Sequence, residues 1–241
     1  MKLMIASDIH GSAYYCRKLL EAYDREGADK LLLLGDVLYH GPRNDLPEEY
    51  APKEVIAMLN PRKQEILCVR GNCDTEVDQM VLEFPIMAEY CILYLNDRMI
   101  FATHGHVFNE QNLPMLKKGD ILLHGHTHVP VCHETENYTY LNPGSVSIPK
   151  ENSWHGYMIL ENGKFVWKDG EGEVKRNFCR EKKRRGEPEE KRGPRQKNRN
   201  PVFSWRGRVL PAHFEKKGIT WIKCREFPQS GSHKCAKYLE K

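Results

Sequence analysis

Hydrophobic positions in the first part of the chain fall into short apolar runs separated by helical patterns. The runs Lys2–Ser7, Lys30–Leu34 and Ile66–Val69 are apolar almost throughout, as is typical of strands buried on both faces. Pro52–Leu59 predicts a short helix, because proline is acceptable in the first helical turn. A longer helical pattern follows the first run, on Tyr15, Leu19, Leu20 and Tyr23. Strands separated by helices predict a buried, largely parallel sheet.

After Phe84 the pattern changes to short segments that predict β-strands joined by turns. Asn96-Asp97 and Asn162-Gly163 supply turn residues between these segments. The predicted strands are Cys91–Leu95, Met99–Thr103, Ile121–Leu123, Tyr138–Leu141, Tyr157–Leu160 and Phe165–Trp167. Helix–strand units followed by a meander predict an α/β (α+β) fold, in which two sheets pack together with helices outside.

The hydrophobic periodicity is lost from Asn177 onward, and the charge changes at the same place. Residues 177–241 contain 19 Lys and Arg against 7 Asp and Glu, whereas residues 1–176 contain 18 against 26. We therefore divide the chain into a domain of residues 1–176 and a basic C-terminal extension of residues 177–241, which we expect to be largely disordered. Its basic charge, interleaved with Trp and Phe, leaves nucleic-acid binding open as an alternative, although most charged runs are simply solvated.

Composition restricts the class of protein. The hydrophobic content of 40% is ordinary for a globular domain, and no stretch reaches the roughly 18 apolar residues of a membrane helix. The opening apolar run is too short for a signal peptide. The eight cysteines are irregularly spaced and form no C-x-x-C pair, so we expect free thiols in a reducing compartment. These features predict a cytoplasmic protein without a membrane partner.

Five of the six strands predicted in the first 130 residues are followed by polar side chains that are able to bind a metal ion. In chain order these are Asp8 and His10, Asp36, Asn72 and Asp74, His104 and His106, and finally His124, His126 and His128. Because the carboxyl ends of strands in open α/β sheets face a shared crevice, five strand ends would bring these groups to one place.

Each residue taken alone also has a structural explanation. Asp8 and Asp36 could cap a helix or occupy a turn, and Asn72 could adopt a left-handed backbone conformation. A lone histidine is usually satisfied by hydrogen bonds. The repetition at five strand ends favours a common site over five independent structural roles.

The donor types restrict the metal and the chemistry. Imidazole, carboxylate and amide oxygen without thiolate suit Mn, Fe or Zn, and they argue against a structural zinc site. Even seven of these ten candidate groups are more ligands than one ion takes from a protein, but seven fit two ions that share a carboxylate. Two ions roughly 3.5–4 Å apart clamp the attacking and leaving oxygens of an in-line displacement, and a bridging water there becomes hydroxide near neutral pH. This chemistry is hydrolysis at phosphorus.

The ordered set of motifs resembles the calcineurin-like metallophosphoesterase superfamily. The order is Asp8-x-His10, Gly35-Asp36, Gly71-Asn72, His104 and Gly125-His126-x-His128. The strings SDIHGS, LGDVLYHGPRN, VRGNCD, THGH, HGHTHVP and NPGSVSIPK are similar to those of its small bacterial phosphodiesterase branch, the YfcE type. The resemblance covers about Met1 to Lys168.

This resemblance implies a fold and a set of ligands. The fold is a four-layer αββα double β-sandwich. One ion would be held by Asp8, His10, Asp36 and His128. The other would be held by Asp36, Asn72, His104 and His126, with Asp36 bridging. The implied cofactors are two divalent metal ions, with Mn expected and Zn, Fe or Ni as alternatives.

The resemblance departs from the wider superfamily at one position. Many members place a histidine after the asparagine of the Gly-Asn motif, whereas this chain has Cys73. A neutral thiol is a poor proton donor to a leaving alkoxide, so a diester with a good leaving group is favoured. His106 and His40 remain candidates for contacting phosphate or protonating the leaving oxygen, with a supporting role as the alternative. We expect Asp74 to orient a metal-bound histidine.

The expected function is a metal-dependent phosphodiesterase that acts on a small phosphodiester and uses Cys73, His106 and His40 as candidate catalytic residues. A metal-binding scaffold that serves as a protein-interaction module is one alternative. A nuclease that uses the basic extension to hold nucleic acid is the other. Homo-oligomer formation stays open.

Overall fold

A computed structural model describes residues 1–95 and 97–177 and the backbone of residues 221–222. In this part of the chain the helices are α1 (Ala13–Glu26), α2 (Pro52–Leu59) and α3 (Glu76–Val81), with a 3₁₀ turn at Asn60–Arg62. The strands are β1 (Lys2–Ala6), β2 (Lys30–Leu33), β3 (Ile66–Cys68), β4 (Tyr90–Leu95), β5 (Arg98–Thr103), β6 (Asp120–His124), β7 (Pro130–Glu134), β8 (Tyr138–Pro143), β9 (Gly156–Glu161), β10 (Lys164–Asp169), β11 (Val174–Asn177) and β12 (Trp221–Ile222).

The strands form two six-stranded sheets, and each sheet is mixed. The first has the order β11-β10-β9-β1-β2-β3, in which β1, β2 and β3 are parallel and β9 to β11 are antiparallel to their neighbours. The second has the order β12-β4-β5-β6-β8-β7, with β5, β6 and β8 parallel. The expected two-sheet α/β fold is confirmed. The parallel arrangement expected for the first three strands is confirmed, and antiparallel strands from the later part of the chain complete both sheets.

The two sheets pack face to face through an apolar core. Its buried side chains include Leu3 and Ile5 from the first sheet and Ile100, Ile121 and Leu123 from the second. These strands are covered on both faces, which explains why their sequences are apolar throughout. The hydrophobic layer therefore holds the carboxyl ends of β1, β2, β5 and β6 in a fixed relation.

The outer face of the first sheet is covered by α1 and α2. Leu19, Tyr23 and Leu59 from these helices pack in one cluster with Met4 and Leu31 from the sheet. The first helix has clear end signals. The Ser12 side chain accepts a hydrogen bond from the third residue beyond it, and Gly27 ends the helix at φ 59° in the left-handed region.

Within residues 1–177, one helix and two strands were not predicted from the sequence. The helix α3 buries no residue, so it lacks an apolar period and is marked only by the capping box of Thr75 and Asp78. The strand β7 lies at a sheet edge and is mostly exposed or half-buried, and β11 lies at the edge of the other sheet. Elements without a buried face carry little hydrophobic signal.

The C-terminal extension is described only at its first residue and at residues 221–222. The backbone of Trp221 and Ile222 pairs with Leu93 and Ile92 of β4. The expectation of disorder for the rest of residues 177–241 lies outside the described residues.

The cysteines follow the expectation only in part. Cys16, Cys68 and Cys73 are free thiols, whereas Cys132 on β7 is disulfide-bonded. Among the described residues, none of the helices has the length and apolar character that crossing a membrane requires.

A charged link joins α1 to the first sheet and makes its stability pH-dependent. The Glu26 carboxylate accepts hydrogen bonds from Lys168 Nζ at 2.7 and 2.9 Å and from the Tyr157 hydroxyl at 3.0 Å. Burial opposes ionisation, but these hydrogen bonds hold the pKa of Glu26 below its ordinary value of 4.5. The carboxylate therefore contributes stability above pH 4.5, and this contribution is lost as pH falls below that value.

We predict that Glu26→Gln lowers the free energy of unfolding at pH 7 by about 1–2 kcal/mol, because two charge-assisted hydrogen bonds are weakened. Urea unfolding at pH 7 and pH 3.5 should show the difference from the parent chain shrinking at the lower pH. Glu21→Gln, at an exposed position on the same helix, is the control. A pH-independent difference at Glu26 would contradict the charged link.

Candidate metal centre

The seven predicted ligands lie at the carboxyl ends of strands in both sheets. Five of them have left-handed backbone conformations that are uncommon for residues other than glycine. They are Asp8 (φ 60°), His10 (φ 51°), Asp36 (φ 54°), His126 (φ 67°) and His128 (φ 62°). Each such conformation costs about 1–3 kcal/mol, and residues in such conformations cluster at functional sites. These backbone conformations turn the chain sharply after the strands, so that the side chains point to a common centre.

The first group of donor atoms consists of Asp8 Oδ1, His10 Nε2 and His128 Nε2. The two ring nitrogens lie 3.3 Å apart. Asp8 Oδ1 lies 3.7 Å from His10 Nε2 and 3.4 Å from His128 Nε2. All three side chains are buried.

The second group consists of Asn72 Oδ1, His104 Nε2 and His126 Nδ1. His104 Nε2 lies 3.0 Å from Asn72 Oδ1 and 3.1 Å from His126 Nδ1. His104 is buried, whereas His126 is only partly buried and Asn72 is exposed. This group therefore faces solvent, and a ligand from solution would approach from its side.

Asp36 lies between the two groups. Its Oδ2 is 3.7 Å from His10 Nε2 and 3.4 Å from His104 Nε2. Its other oxygen, Oδ1, accepts a hydrogen bond from the Cys73 backbone N–H at 2.8 Å. One carboxylate oxygen is thus held in place by the backbone, and the other is directed at both groups.

Backbone carbonyl oxygens decide which nitrogen of three histidines carries the proton. Because a carbonyl oxygen only accepts hydrogen bonds, the ring Nδ1 in each case must be the donor. The pairs are His10 with Tyr39 (2.8 Å), His104 with Leu34 (2.7 Å) and His128 with Ile148 (2.6 Å). In the neutral rings this leaves the Nε2 lone pair facing the centre.

The centre favours positive charge. Asp8 Oδ1 is buried and has no hydrogen-bond partner among the described residues. Burial opposes ionisation of Asp8, but nearby histidines, His10 first, hold its pKa below the usual range. Burial also opposes protonation of His104, yet Asp36 and Asp8 raise its pKa to about 9. Converging lone pairs and carboxylates are satisfied by divalent cations, so the residues fit a metal pair.

The close approach of these segments depends on two glycines. A Cβ atom at Gly71 would overlap Asp36 Oδ1, and one at Gly125 would overlap the hydroxyl of Ser7. The absence of a side chain at these positions lets the end of β3 approach that of β2 and the end of β6 approach that of β1.

Asp74 has a different role from the one expected. Its Oδ2 accepts hydrogen bonds from the backbone N–H groups of Asp36 (2.8 Å) and Gly71 (2.7 Å), and Oδ1 accepts from Val37 (2.9 Å). In the contacts of the described residues it binds backbone N–H groups and no histidine, so the expectation that it orients a metal-bound histidine is wrong. The buried carboxylate instead ties the ends of β2 and β3 together, because their unpaired N–H groups point towards it.

The three candidate catalytic residues are placed differently. His106 is exposed, with its ring centroid 5.4 Å from that of His104 and 6.4 Å from that of His126. Cys73 is buried, and its sulfur lies close to donor atoms of His10 and Asp36. Burial, reinforced by the nearby carboxylates, raises the pKa of the Cys73 thiol, so the thiol is neutral at physiological pH.

His40 does not join either donor group in the described contacts. Its ring packs edge-on against the rings of Tyr39 and Tyr50, at centroid distances of 4.8 and 5.1 Å. The preceding carbonyl, that of Tyr39, accepts the hydrogen bond from His10. The residue therefore contributes to the wall of the site through the loop that it occupies.

Two supporting serines were not identified from the sequence. The hydroxyls of Ser145 and Ser147 donate to the backbone oxygen of Asp8 at 2.9 and 3.0 Å. They hold the strained backbone of Asp8 through its carbonyl. The only sequence signal is their position in the string NPGSVSIPK.

The chain is similar in sequence to known proteins. Residues 1–164 match the calcineurin-like phosphoesterase superfamily domain. The chain is 51% identical over 162 residues to phosphodiesterase YfcE of Escherichia coli (strain K12), covering 67% of this chain and 88% of that protein. It is 27% identical over 153 residues to phosphodiesterase MJ0936 of Methanocaldococcus jannaschii, covering 60% and 83%.

A solved structure is also similar to this chain. The structure of YfcE, described as a phosphoesterase from E. coli, superposes with a TM-score of 0.71 at 46% identity. The match covers 73% of this chain and 97% of YfcE.

We predict that Asp36→Ala abolishes binding of at least one divalent ion, because Asp36 is the carboxylate that faces both donor groups. Metal-stripped protein would be titrated with Mn²⁺ by isothermal calorimetry, and the parent chain should bind two ions. Asp45→Ala, at an exposed position, is the control and should bind as the parent does. Unchanged stoichiometry in Asp36→Ala would rule out a bridging role.

Proposed function

We propose a phosphodiesterase function for this chain, which belongs to the calcineurin-like phosphoesterase superfamily. The observation that carries the proposal is the position of Asp36 Oδ2, within 4 Å of ring nitrogens in both donor groups. A single carboxylate oxygen facing two sets of lone pairs suits a pair of cations. The identity of 51% with a protein named as a phosphodiesterase supports the same conclusion.

The seven side chains would divide between two ions as the donor groups do. Asp8, His10, Asp36 and His128 would hold one ion. Asp36, Asn72, His104 and His126 would hold the other. When bound, two divalent cations would lower the pKa of a water molecule and offset the charge on phosphate oxygens. Nitrogen and oxygen donors favour Mn²⁺, with Zn²⁺, Fe²⁺ or Ni²⁺ as alternatives.

The residues around the ions would position the substrate. His106 is exposed next to the more open donor group, where it would contact phosphate or donate a proton to the leaving oxygen. Cys73 lies at the other candidate position for a proton donor, but a neutral thiol transfers its proton poorly. A substrate whose leaving group departs without protonation is therefore favoured. We propose a small phosphodiester with a good leaving group.

The first test is hydrolysis of bis-p-nitrophenyl phosphate by metal-stripped protein, with Mn²⁺, Zn²⁺, Ni²⁺ or Mg²⁺ restored singly. We expect metal-dependent cleavage of this diester and little cleavage of the monoester p-nitrophenyl phosphate, because the neutral thiol of Cys73 supplies no positive charge to offset the second negative charge of a monoester. Absence of cleavage with every metal, in protein shown to be folded, would favour the alternative of a metal-binding scaffold.

We predict that His106→Ala lowers turnover of the diester by about 10²–10³-fold, the usual cost of losing one group that stabilises charge on the reacting phosphate, while metal content stays at the parent level. Turnover and metal content would be measured on the same preparation. His133→Ala, another exposed histidine, is the control and should keep full activity. Loss of metal in His106→Ala would make His106 a ligand and contradict this assignment.

We also propose that residues 1–176 form the catalytic domain and that residues 177–241 are a basic extension. The alternative nuclease would use that extension to hold nucleic acid. A chain ending at Arg176 should keep its activity on the small diester, because every proposed ligand precedes that residue. If the extension serves a nuclease, the shortened chain should instead lose cleavage of single-stranded DNA together with its salt sensitivity.

A further inference from the structure

The buried side-chain amide of Asn142 connects two segments that surround the metal centre. Asn142 lies in β8, and its side chain is inaccessible to solvent. The strand holds its backbone, and its carbonyl oxygen accepts a hydrogen bond from the buried Trp167 indole at 2.7 Å. The amide is therefore fixed in place independently of the metal ligands.

The donor side of this amide contacts the loop of residues 125–128, which carries two proposed ligands. Asn142 Nδ2 lies 2.8 Å from the backbone oxygen of Gly125 and 3.0 Å from the hydroxyl oxygen of Thr127. His126 and His128 alternate with these residues and have left-handed backbone conformations. Hydrogen bonds at the intervening residues hold the loop in this unfavourable shape.

The Nδ2 atom also lies 2.9 Å from the hydroxyl oxygen of Tyr140. The Tyr140 ring stacks on His124 at a centroid distance of 4.3 Å, and His124 Nδ1 donates to the same Gly125 oxygen at 3.0 Å. His124 thus contacts the start of the loop at Gly125, and Tyr140 connects His124 to the Asn142 amide.

The acceptor side of the amide contacts the segment of residues 143–148. Asn142 Oδ1 accepts a hydrogen bond from the Gly144 backbone N–H at 2.8 Å. The same segment contains Ser145, which donates to the Asp8 carbonyl, and Ile148, whose carbonyl accepts the proton of His128 Nδ1. The nitrogen and the oxygen of one amide thereby each hold a segment that contains or contacts a residue of the first donor group.

We propose that Asn142 is a positioning residue for the metal pair, and this inference rests on the proposed function. A planar amide has a donor and an acceptor at a fixed separation, so it sets the distance between the 125–128 loop and the 143–148 segment. Removing it frees the two segments to move apart and relaxes the strained backbone of His126 and His128. The donor atoms then no longer converge, and metal affinity falls.

The test compares Asn142→Ala with Asn60→Ala in the full-length chain. Asn60 makes the same kind of bridge between segments that carry no proposed ligand, donating to the Val81 carbonyl and accepting from the Glu83 N–H, both at 2.9 Å. We expect Mn²⁺ affinity, measured by calorimetry well below the unfolding temperature, to fall roughly 10–100-fold in Asn142→Ala. Asn60→Ala should bind Mn²⁺ as the parent does. Excess Mn²⁺ should restore turnover of Asn142→Ala.

Parent-like affinity in folded Asn142→Ala would overturn the inference. If that variant does not fold, Thr127→Val takes its place, because it removes one hydrogen-bonding oxygen at an exposed position. It should then show weaker Mn²⁺ binding, and unchanged binding would overturn the inference equally. A parent chain that binds no Mn²⁺ would instead overturn the proposed function, and the inference with it.

Discussion

Two buried carboxylates next to one imidazole nitrogen are the constraint on which this structure depends. Asp8 Oδ1 and Asp36 Oδ2 each lie 3.7 Å from His10 Nε2, and all three side chains are buried. Negative charges so close together and away from water are stable only beside compensating positive charge. The surrounding histidines and the proposed cations supply that charge. The rest of the architecture keeps these groups together.

The convergence of the donor atoms requires unfavourable backbone conformations at several strand ends. Left-handed conformations at five proposed ligands are unfavourable, and the supporting hydrogen bonds lie next to them. Asp74 holds Asp36 and Gly71 through their N–H groups, whereas Ser145 and Ser147 hold the Asp8 carbonyl. Because both sheets share one apolar core, these local contacts act on a rigid frame.

The centre is asymmetric in its access to solvent, and this asymmetry connects the geometry to the proposed reaction. Asp8, His10 and His128 are buried, whereas Asn72 and His106 are exposed. A phosphate group would therefore approach on the side of His106. The buried thiol of Cys73 is poorly suited to proton donation. The geometry therefore favours phosphodiesters whose leaving group departs without receiving a proton.

The sequence by itself determined which residues could bind metal, because donor chemistry is a property of the side chain and each donor follows an apolar run. It also determined the two-sheet fold, since buried strands carry a strong hydrophobic signal. It did not reveal α3, β7 or β11, because exposed elements carry little hydrophobic pattern, and it did not determine which strands pair within each sheet. Only the tertiary structure decided that Asp74 binds backbone N–H groups and that Asn142 bridges two segments. Those hydrogen bonds join residues up to 38 positions apart, and their geometry exists only once the strands of each sheet have paired.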